Sequence, residues 1–494
     1  MLGRHGIMKV SIAYPPLNTE KGVPLLGQNR QFQWFNSPTY IYPMVPAYAA
    51  SLLKENGYDV SWDDYIAEEK TYDEFVAYYK CANIDIVMIE TKAPVVKMHW
   101  EIVKELKRIV PERKIVMVGD HVTAFPMETM EACPVDYVLT GGNYDFLLLN
   151  LCDNLRANQG KVDSQKLEAG IYYREDGKIR DTGKFQLNQD LNELPAIDRE
   201  LTKWKLYSEK NGNYSKLPGT YTMAARDCWH HKCTFCSWTT LYPKYLVRTP
   251  ENLLEEIGEL IDKYGVKEIM DDSGAFPVGE WLHTFCRGMI ERGYNKRVIM
   301  DCNMRFGALS YDDYKLMKQA GFRFVLFGME SANQETLDHI QKCVKIEDMV
   351  ESCKLAKKAG LSPHITIMFG YPWEEEEQIR NTIKLGKRIL KKGWAHTLQA
   401  TVLIPYPGTP LYQECKEKGW LLTENYEDYD QRMPVMKTPV GSERIKEAVQ
   451  EVYKVAFSPE FILRRIVGIR SIDDIRFIFR AAGKVFGHLT DFGK

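Results

Sequence analysis

Three of the eleven cysteines in this 494-residue chain fall within nine positions. They are Cys228, Cys233 and Cys236, in the stretch Arg226-Asp-Cys-Trp-His-His-Lys-Cys-Thr-Phe-Cys-Ser-Trp238. Thiolates this close can converge on one metal centre, and an iron-sulfur cubane held by only three cysteines leaves one iron open to a further ligand. An open iron points to catalysis. Two plainer readings compete with it. Zinc also accepts clustered cysteine, with His230 or His231 as a fourth ligand, but no second Cys or His pair follows at a finger-like distance. Disulfide bonding fares worse, because the cysteine count is odd and no secretory signal is seen, which points to a reducing compartment.

Such a loop needs elements to carry it. The chain is too long for one ordinary core, which implies two or three domains. An apolar fraction of 45% can fill them, and a net charge of -2 leaves no basic footprint for nucleic acid. No apolar run approaches the ~20 residues of a membrane-spanning helix. The expectation is a cytoplasmic protein, attached at most to a membrane surface.

Residues 8–17 read as a short strand stopped by Pro15 and Pro16. Val45–Asn56 reads as an Ala-rich helix capped by Gly57, and Tyr58–Trp62 resumes strand character. Asp85–Thr91 and Lys114–Gly119 are buried-type strands around a helix at Glu101–Ile109. This alternation predicts a parallel, doubly wound, Rossmann-like sheet over residues 8–155. Ligands of such sheets bind at the carboxyl ends of the strands. Thr91 with Lys92, Gly119-Asp-His-Val-Thr123 and Thr140-Gly-Gly142 fall there, although glycines alone could equally serve tight turns. Residues 156–216 are polar and turn-rich and read as a connecting module with a hairpin turn at Arg174–Gly177.

From residue 217 to 425 the pattern changes to repeated strand-plus-helix units. Thr249–Asn252 caps a helix over Leu253–Tyr264, and strands recur at Glu268–Asp272, Arg297–Cys302, Phe322–Phe327, Ser362–Phe369 and Leu398–Leu403. About six such units fit a partial TIM-like barrel, in which catalytic groups gather at the strand ends. Gly328-Met-Glu330 ends the fourth strand, where a carboxylate could accept both hydroxyls of a ribose and the glycine permits close backbone approach. Asp271 and Asp272 end the second; one could receive a ligand ammonium, a helix N-cap being nearly as apt. Arg305 lies just past the third and could pair with a carboxylate or form only a surface salt bridge. Gly370-Tyr-Pro-Trp-Glu374 and Pro405-Tyr-Pro-Gly-Thr-Pro410 follow the fifth and sixth.

In their joint order these motifs resemble the radical S-adenosylmethionine (SAM) enzymes, whose cluster loop is usually CX3CX2C with an aromatic residue before the last cysteine. Cys233-Thr-Phe235-Cys236 matches. Four residues rather than three separate Cys228 from Cys233, an insertion that costs little in a surface loop. Tyr14-Pro-Pro16, Pro46–Gly57, Gly119–Thr123, Val135–Val138 followed by Gly141-Gly142, and the Pro405–Pro410 turn are similar to the cobalamin-binding subclass. The resemblance implies a 4Fe-4S cluster on Cys228, Cys233 and Cys236. It implies SAM at Phe235, Asp272, Gly328, Glu330 (ribose), Arg305 (methionine carboxylate) and the adenine-side turn of Gly370 and Pro372. It also implies cobalamin at Tyr14, Thr91, Gly119, His121, Thr123, Gly141 and Gly142. No Asp-x-His-x-x-Gly occurs, so by the same resemblance no histidine replaces the lower axial base, and His121 is a wall of the pocket.

The implied activity is generation of a 5′-deoxyadenosyl radical from SAM and hydrogen abstraction from an unactivated carbon, with methyl transfer to that carbon as the first expectation. Cyclisation, ring contraction or oxidation without methyl transfer is the alternative, and a non-catalytic metal-binding module is the third reading. Expected partners are a small-molecule substrate and an external electron donor such as flavodoxin or ferredoxin. An aromatic content of 12% is compatible with a large apolar substrate. Residues 426–494 read as a helical tail in which apolar positions at helical spacing accompany Arg464, Arg465, Arg470, Arg476, Arg480 and Lys484. Such a tail can lie on anionic lipid or pack onto the barrel.

Overall fold

Apolar strand runs separated by amphipathic helices can bury both faces only as parallel sheets covered on each side. The computed structural model, which describes residues 7–17, 19–24, 32–36, 39–211 and 214–467, contains two of them. In the first, β1 (Lys9–Tyr14), β2 (Asp59–Asp64), β3 (Ile86–Glu90), β4 (Lys114–Val118) and β5 (Tyr137–Leu139) run parallel in the order β2-β1-β3-β4-β5. Val10 of β1 sits between Val60 and Ile86, and every residue of β3 is buried. The order reverses between β1 and β3, so their carboxyl ends open the crevice where doubly wound sheets take ligands.

The stretch expected to be a connector does more than connect. Its β6 (Ile171–Glu175) and β7 (Lys178–Asp181) pair antiparallel with β5 and with each other, extending the sheet to seven strands. The hairpin turn was legible, since Asp176 and Gly177 hold φ of 49° and 75°, both positive as a two-residue hairpin loop requires. The sheet membership was not, because β7 is largely exposed and carries no apolar alternation.

The second sheet is β8 (Gly219–Thr222), β9 (Glu268–Asp271), β10 (Ile299–Met304), β11 (Phe322–Glu330), β12 (Ser362–Phe369) and β13 (Thr397–Val402). All six are parallel in sequential order, with β8 and β13 as its two edges, as a partial barrel requires. Its first helix, Pro250–Asp262, starts where the capping residues place it: the Thr249 hydroxyl accepts from Asn252 N, and Pro250 fills the first turn. β11 runs past the expected Phe327 because a bulge between Gly328 and Glu330 carries it on to Glu330.

Two buried ionic networks fasten the sheets together. Arg226, just ahead of the cysteine loop, forks onto Asp145 at the start of the helix that follows Gly142; one nitrogen lies 2.9 Å from Oδ1 and 2.7 Å from Asn143 Oδ1, the other bonds Oδ2. Burial works against the Arg226 charge, and Asp145 more than offsets it, holding its pKa above the ordinary arginine value. Further along the interface Glu256 takes Arg199 at 3.1 Å and Arg248 at 2.5 Å, with Tyr48 closing the group. At the far end Phe461 packs on the core, and Arg464 lies against Gly393, where a Cβ would stand 2.9 Å from its guanidinium. The helix Pro459–Val467 therefore packs onto the barrel, with Ile462 and Leu463 exposed. Arg470, Arg476, Arg480 and Lys484 lie outside the described residues. No described helix is long and apolar enough to cross a membrane.

Replacing Asp145 by Ala leaves Arg226 buried and unpaired, a loss of about 3–5 kcal/mol. The midpoint of thermal unfolding should fall accordingly, and an Arg226→Met/Asp145→Leu double variant, which removes both charges, should recover most of it. Equal midpoints for wild type and Asp145→Ala would show that the fork contributes nothing.

Candidate active site

The cysteine loop leaves β8 and crosses the mouth of the barrel, clasped from three directions. From β9, the Asp271 carboxylate accepts from Ala224 N (2.8 Å) and the Thr222 hydroxyl (3.1 Å), and the Ser273 hydroxyl accepts from Ala225 N (2.8 Å). Burial pushes Asp271 up to about 6, against the pull of these donors. Gly274 N donates to Asp227 O at 3.1 Å, and a Cβ on Gly274 would lie 2.8 Å from Cys228 N, so only glycine lets the loop come this close. From the second direction, three successive carbonyls hold the loop and its neighbours: Ile340 O takes Thr234 N (3.1 Å), Gln341 O takes His230 Nε2 (2.8 Å) and Lys342 O takes the Arg305 guanidinium. From the third, Leu411 N donates to Thr234 O at 3.0 Å.

Cys228, Cys233 and Cys236 are all partly exposed, whereas Cys133, Cys152, Cys286, Cys302, Cys353 and Cys415 are buried. Burial pushes the Cys233 thiol up while Lys342 and Arg305 draw it down. In the competing zinc reading each candidate histidine has one nitrogen already engaged: His230 Nε2 by Gln341 O, and His231 Nδ1 by the Asp227 carboxylate. Among the described residues no three His, Cys, Asp or Glu side chains converge closely enough for a single metal ion. A cubane spreads its thiolates around a larger core and asks for no such convergence. Three soft thiol donors on one accessible loop, with cations behind them, fit it.

The expected nucleoside residues gather beside this loop. Glu330 ends β11 with φ 61°, its Oε1 2.7 Å from Lys342 Nζ. Gly328 is glycine because that ion pair fills the space of a side chain there. Arg305 lies beneath Trp229, 5.5 Å from its ring centre, and Phe235 faces Lys342 at 5.8 Å. Asp272 N donates to Thr222 O (2.8 Å), tying the end of β9 to β8. After β12, Gly370 takes φ 102°, Pro372 follows, and the buried Glu374 accepts from the hydroxyls of Ser331 (2.6 Å) and Thr336 (2.7 Å), pinning the turn that follows Glu330. Burial raises the Glu374 pKa against those bonds. The Tyr371 hydroxyl is buried with no partner among the described residues, the kind of orphan that a ligand satisfies. Sequence reasoning missed Gly274, Tyr371 and Lys342. A glycine just past a strand end was the available signal for the first; Lys342, in Ile340-Gln-Lys-Cys-Val344, carries none.

On the first sheet, the hydroxyls of Tyr14 and Tyr144 both donate to the buried Glu90 at the switch point. The Thr91 hydroxyl meets His99 Nδ1 at 2.7 Å; burial lowers His99 to about 3, and its Nε2 is a buried orphan. Gly119 is glycine because a Cβ there would stand 2.2 Å from the Thr91 carbonyl oxygen. Thr123 joins two of the expected edges, its hydroxyl donating to Gly119 O (2.7 Å) and accepting from Gly141 N (3.0 Å). Gly141 and Gly142, however, are covered by protein, by the rings of Phe185 and Tyr242, and Gly142 N donates to Leu241 O (2.8 Å). This turn docks the segment that follows the cysteine loop. His121 is enclosed by Trp100, Phe125 and Tyr426, with Nε2 3.3 Å from Glu128 and Nδ1 another buried orphan.

Three partly exposed thiols thus sit on the loop that follows the first strand of an open parallel barrel. Residues 225–386 match the model of the Radical SAM superfamily. The chain is 29% identical over 415 residues to an uncharacterized methyltransferase of Pyrococcus horikoshii, covering 83% of this chain and 86% of that one. It is 24% identical over 402 residues to the anaerobic magnesium-protoporphyrin IX monomethyl ester cyclase of Cereibacter sphaeroides, covering 80% and 63%. Two solved structures share the fold. The radical SAM methyltransferase TsrM of Kitasatospora setae, with cobalamin and a [4Fe-4S] cluster bound, aligns at TM-score 0.66 and 14% identity over 91% of this chain and 89% of that one. The cobalamin-dependent SAM radical enzyme OxsB, with aqua-cobalamin and SAM bound, aligns at TM-score 0.71 and 12% identity over 98% and 72%.

Iron and acid-labile sulfide in anaerobically purified protein should collapse in Cys228→Ala, Cys233→Ala and Cys236→Ala but stay full in Cys286→Ala, Cys343→Ala and Cys415→Ala. Gly274→Ala, which forces the loop away, should also lose iron; full iron in that variant would show that the close approach of Gly274 to Cys228 has no bearing on the cluster.

Proposed function

We propose that the chain is a cobalamin-dependent radical SAM enzyme that activates a C–H bond of a small molecule and methylates that carbon. One observation carries the reading: a three-thiol loop at the mouth of a partial barrel is fastened by Arg226 and Asp145 to the carboxyl edge of a doubly wound sheet. A cluster and SAM on one side of that seam would face a corrinoid on the other. The edge suits such a guest, since His99 Nε2 and Thr240 Oγ1 are buried without partners near it. When bound, these groups supply the electron transfer, the hydrogen abstraction and the methyl donor. The protein's own share is to bind and orient. Cys228, Cys233 and Cys236 would hold the cluster, Glu330 would take the ribose hydroxyls of SAM, Arg305 would meet its carboxylate, and the aromatic wall of Trp229 and Phe235 would exclude water.

A second reading, cyclisation without methyl transfer, is favoured by the likeness to the magnesium-protoporphyrin ester cyclase across 80% of the chain. Anaerobic incubation with SAM, a reductant and a candidate acceptor separates the two. Methylation should yield 5′-deoxyadenosine and S-adenosylhomocysteine together with a product heavier by one CH2; 5′-deoxyadenosine alone, with no gain of carbon, selects the second reading.

The cob(II)alamin form should show electron paramagnetic resonance without splitting from an axial nitrogen, because the His121 ring is already enclosed by three aromatic residues and bonded to Glu128. Splitting that disappears in His121→Ala would overturn this, and failure to bind cobalamin would overturn the assignment of the first sheet.

A further inference from the structure

Glu330 holds a conformation that residues with a side chain avoid, φ 61° at the bulge ending β11, and such a backbone persists only where its surroundings impose it. Lys342 is the surrounding that meets its carboxylate. The two side chains pair at 2.7 Å while only 10% (Lys342) and 8% (Glu330) exposed. A Cβ on Gly328 would stand 2.6 Å from Nζ and collide with the carboxylate, so the glycine is the space the pair occupies. The lysine has little freedom to swing away. Its amide donates to Leu337 O (2.8 Å), its carbonyl takes Arg305, and Gln341 and Cys343 on either side hold φ of 52° and 51°. Its ammonium also stands 5.8 Å over the Phe235 ring in the cysteine loop, within cation–π range.

The charged and titratable groups around the pair are Cys233 and His230 from the loop, Arg305 from beyond β10 and the Tyr371 hydroxyl from beyond β12. Burial disfavours the Lys342 ammonium, and Glu330 with Cys233 more than offsets it, leaving its pKa above the ordinary lysine value.

We propose that Lys342 is a positioning residue for SAM: it fixes the aim of the Glu330 carboxylate, so that the ribose hydroxyls meet an oriented acceptor. This rests on the reading of Glu330 as the ribose acceptor.

The test is SAM binding to the anaerobic, cluster-loaded full chain, by equilibrium dialysis at neutral pH. Lys342→Met should bind on the order of tenfold more weakly. Lys342→Arg should keep most of the affinity. Glu330→Gln should be weak, and Lys342→Met/Glu330→Gln no weaker than Glu330→Gln, since the lysine then has nothing to position. Wild-type affinity in Lys342→Met, or a double variant weaker than Glu330→Gln, overturns the proposal. Should Lys342→Met lose its iron, Gly328→Ala takes its place, crowding the pair while keeping both charges; normal SAM affinity there, with full iron, overturns the proposal equally. Normal binding by Glu330→Gln refutes the ribose reading itself, whatever Lys342 does.

Discussion

The buried fork between Arg226 and Asp145 is the constraint on which the arrangement of this molecule turns. A guanidinium is planar and donates in fixed directions, so it specifies an angle as well as a distance between the two sheets. Across the same seam Tyr242 adds its ring area on Gly142 and a single hydroxyl bond to the Gly142 carbonyl (3.2 Å). The position of the fork matters as much as its strength. Arg226 stands two residues before Cys228, and Asp145 opens the helix that follows the glycine turn of the first sheet. The start of the cysteine loop is thereby referenced to the carboxyl edge of the other domain rather than only to its own barrel.

Backbone strain collects around the same loop. Asp227, His231, Glu330, Gln341 and Cys343, none of them glycine, all hold positive φ. Within the Cys228–Cys233 spacing, His231 holds φ of 52° and its ring is bonded to the Asp227 carboxylate. The carbonyls of residues 340–342 meet Thr234, His230 and Arg305 on the other side.

Much of this was legible beforehand, for a physical reason: strand and helix periodicity, caps and strand-end residues are local. The doubly wound order, the six barrel strands, the Thr249 cap and the placement of Glu330 at the end of the fourth strand all rest on spacing within a few residues. What could not be read depends on partners far apart in the chain. Gly142 meets Tyr242 one hundred positions on, Lys342 takes its meaning from a carboxylate twelve residues away across the helix Gln334–His339, and β7 joins a sheet although its own residues show no apolar face. The glycines of the first sheet illustrate the difference. A glycine announces that something comes close, and only the fold says whether that is a ligand or, as for Gly141 and Gly142, another part of the protein.

Gly408 carries that last point further. In the turn after β13, a Cβ at this position would stand 2.6 Å from the Thr240 methyl and 2.8 Å from the Ala124 side chain, so three segments, one from the first sheet, one following the cysteine loop and one from the end of the barrel, converge on a single missing side chain. A junction of this kind has no slack to exchange: an altered residue on any one segment must be answered on the other two. A bulkier residue at any of the three would therefore push apart segments that belong to both halves of the molecule.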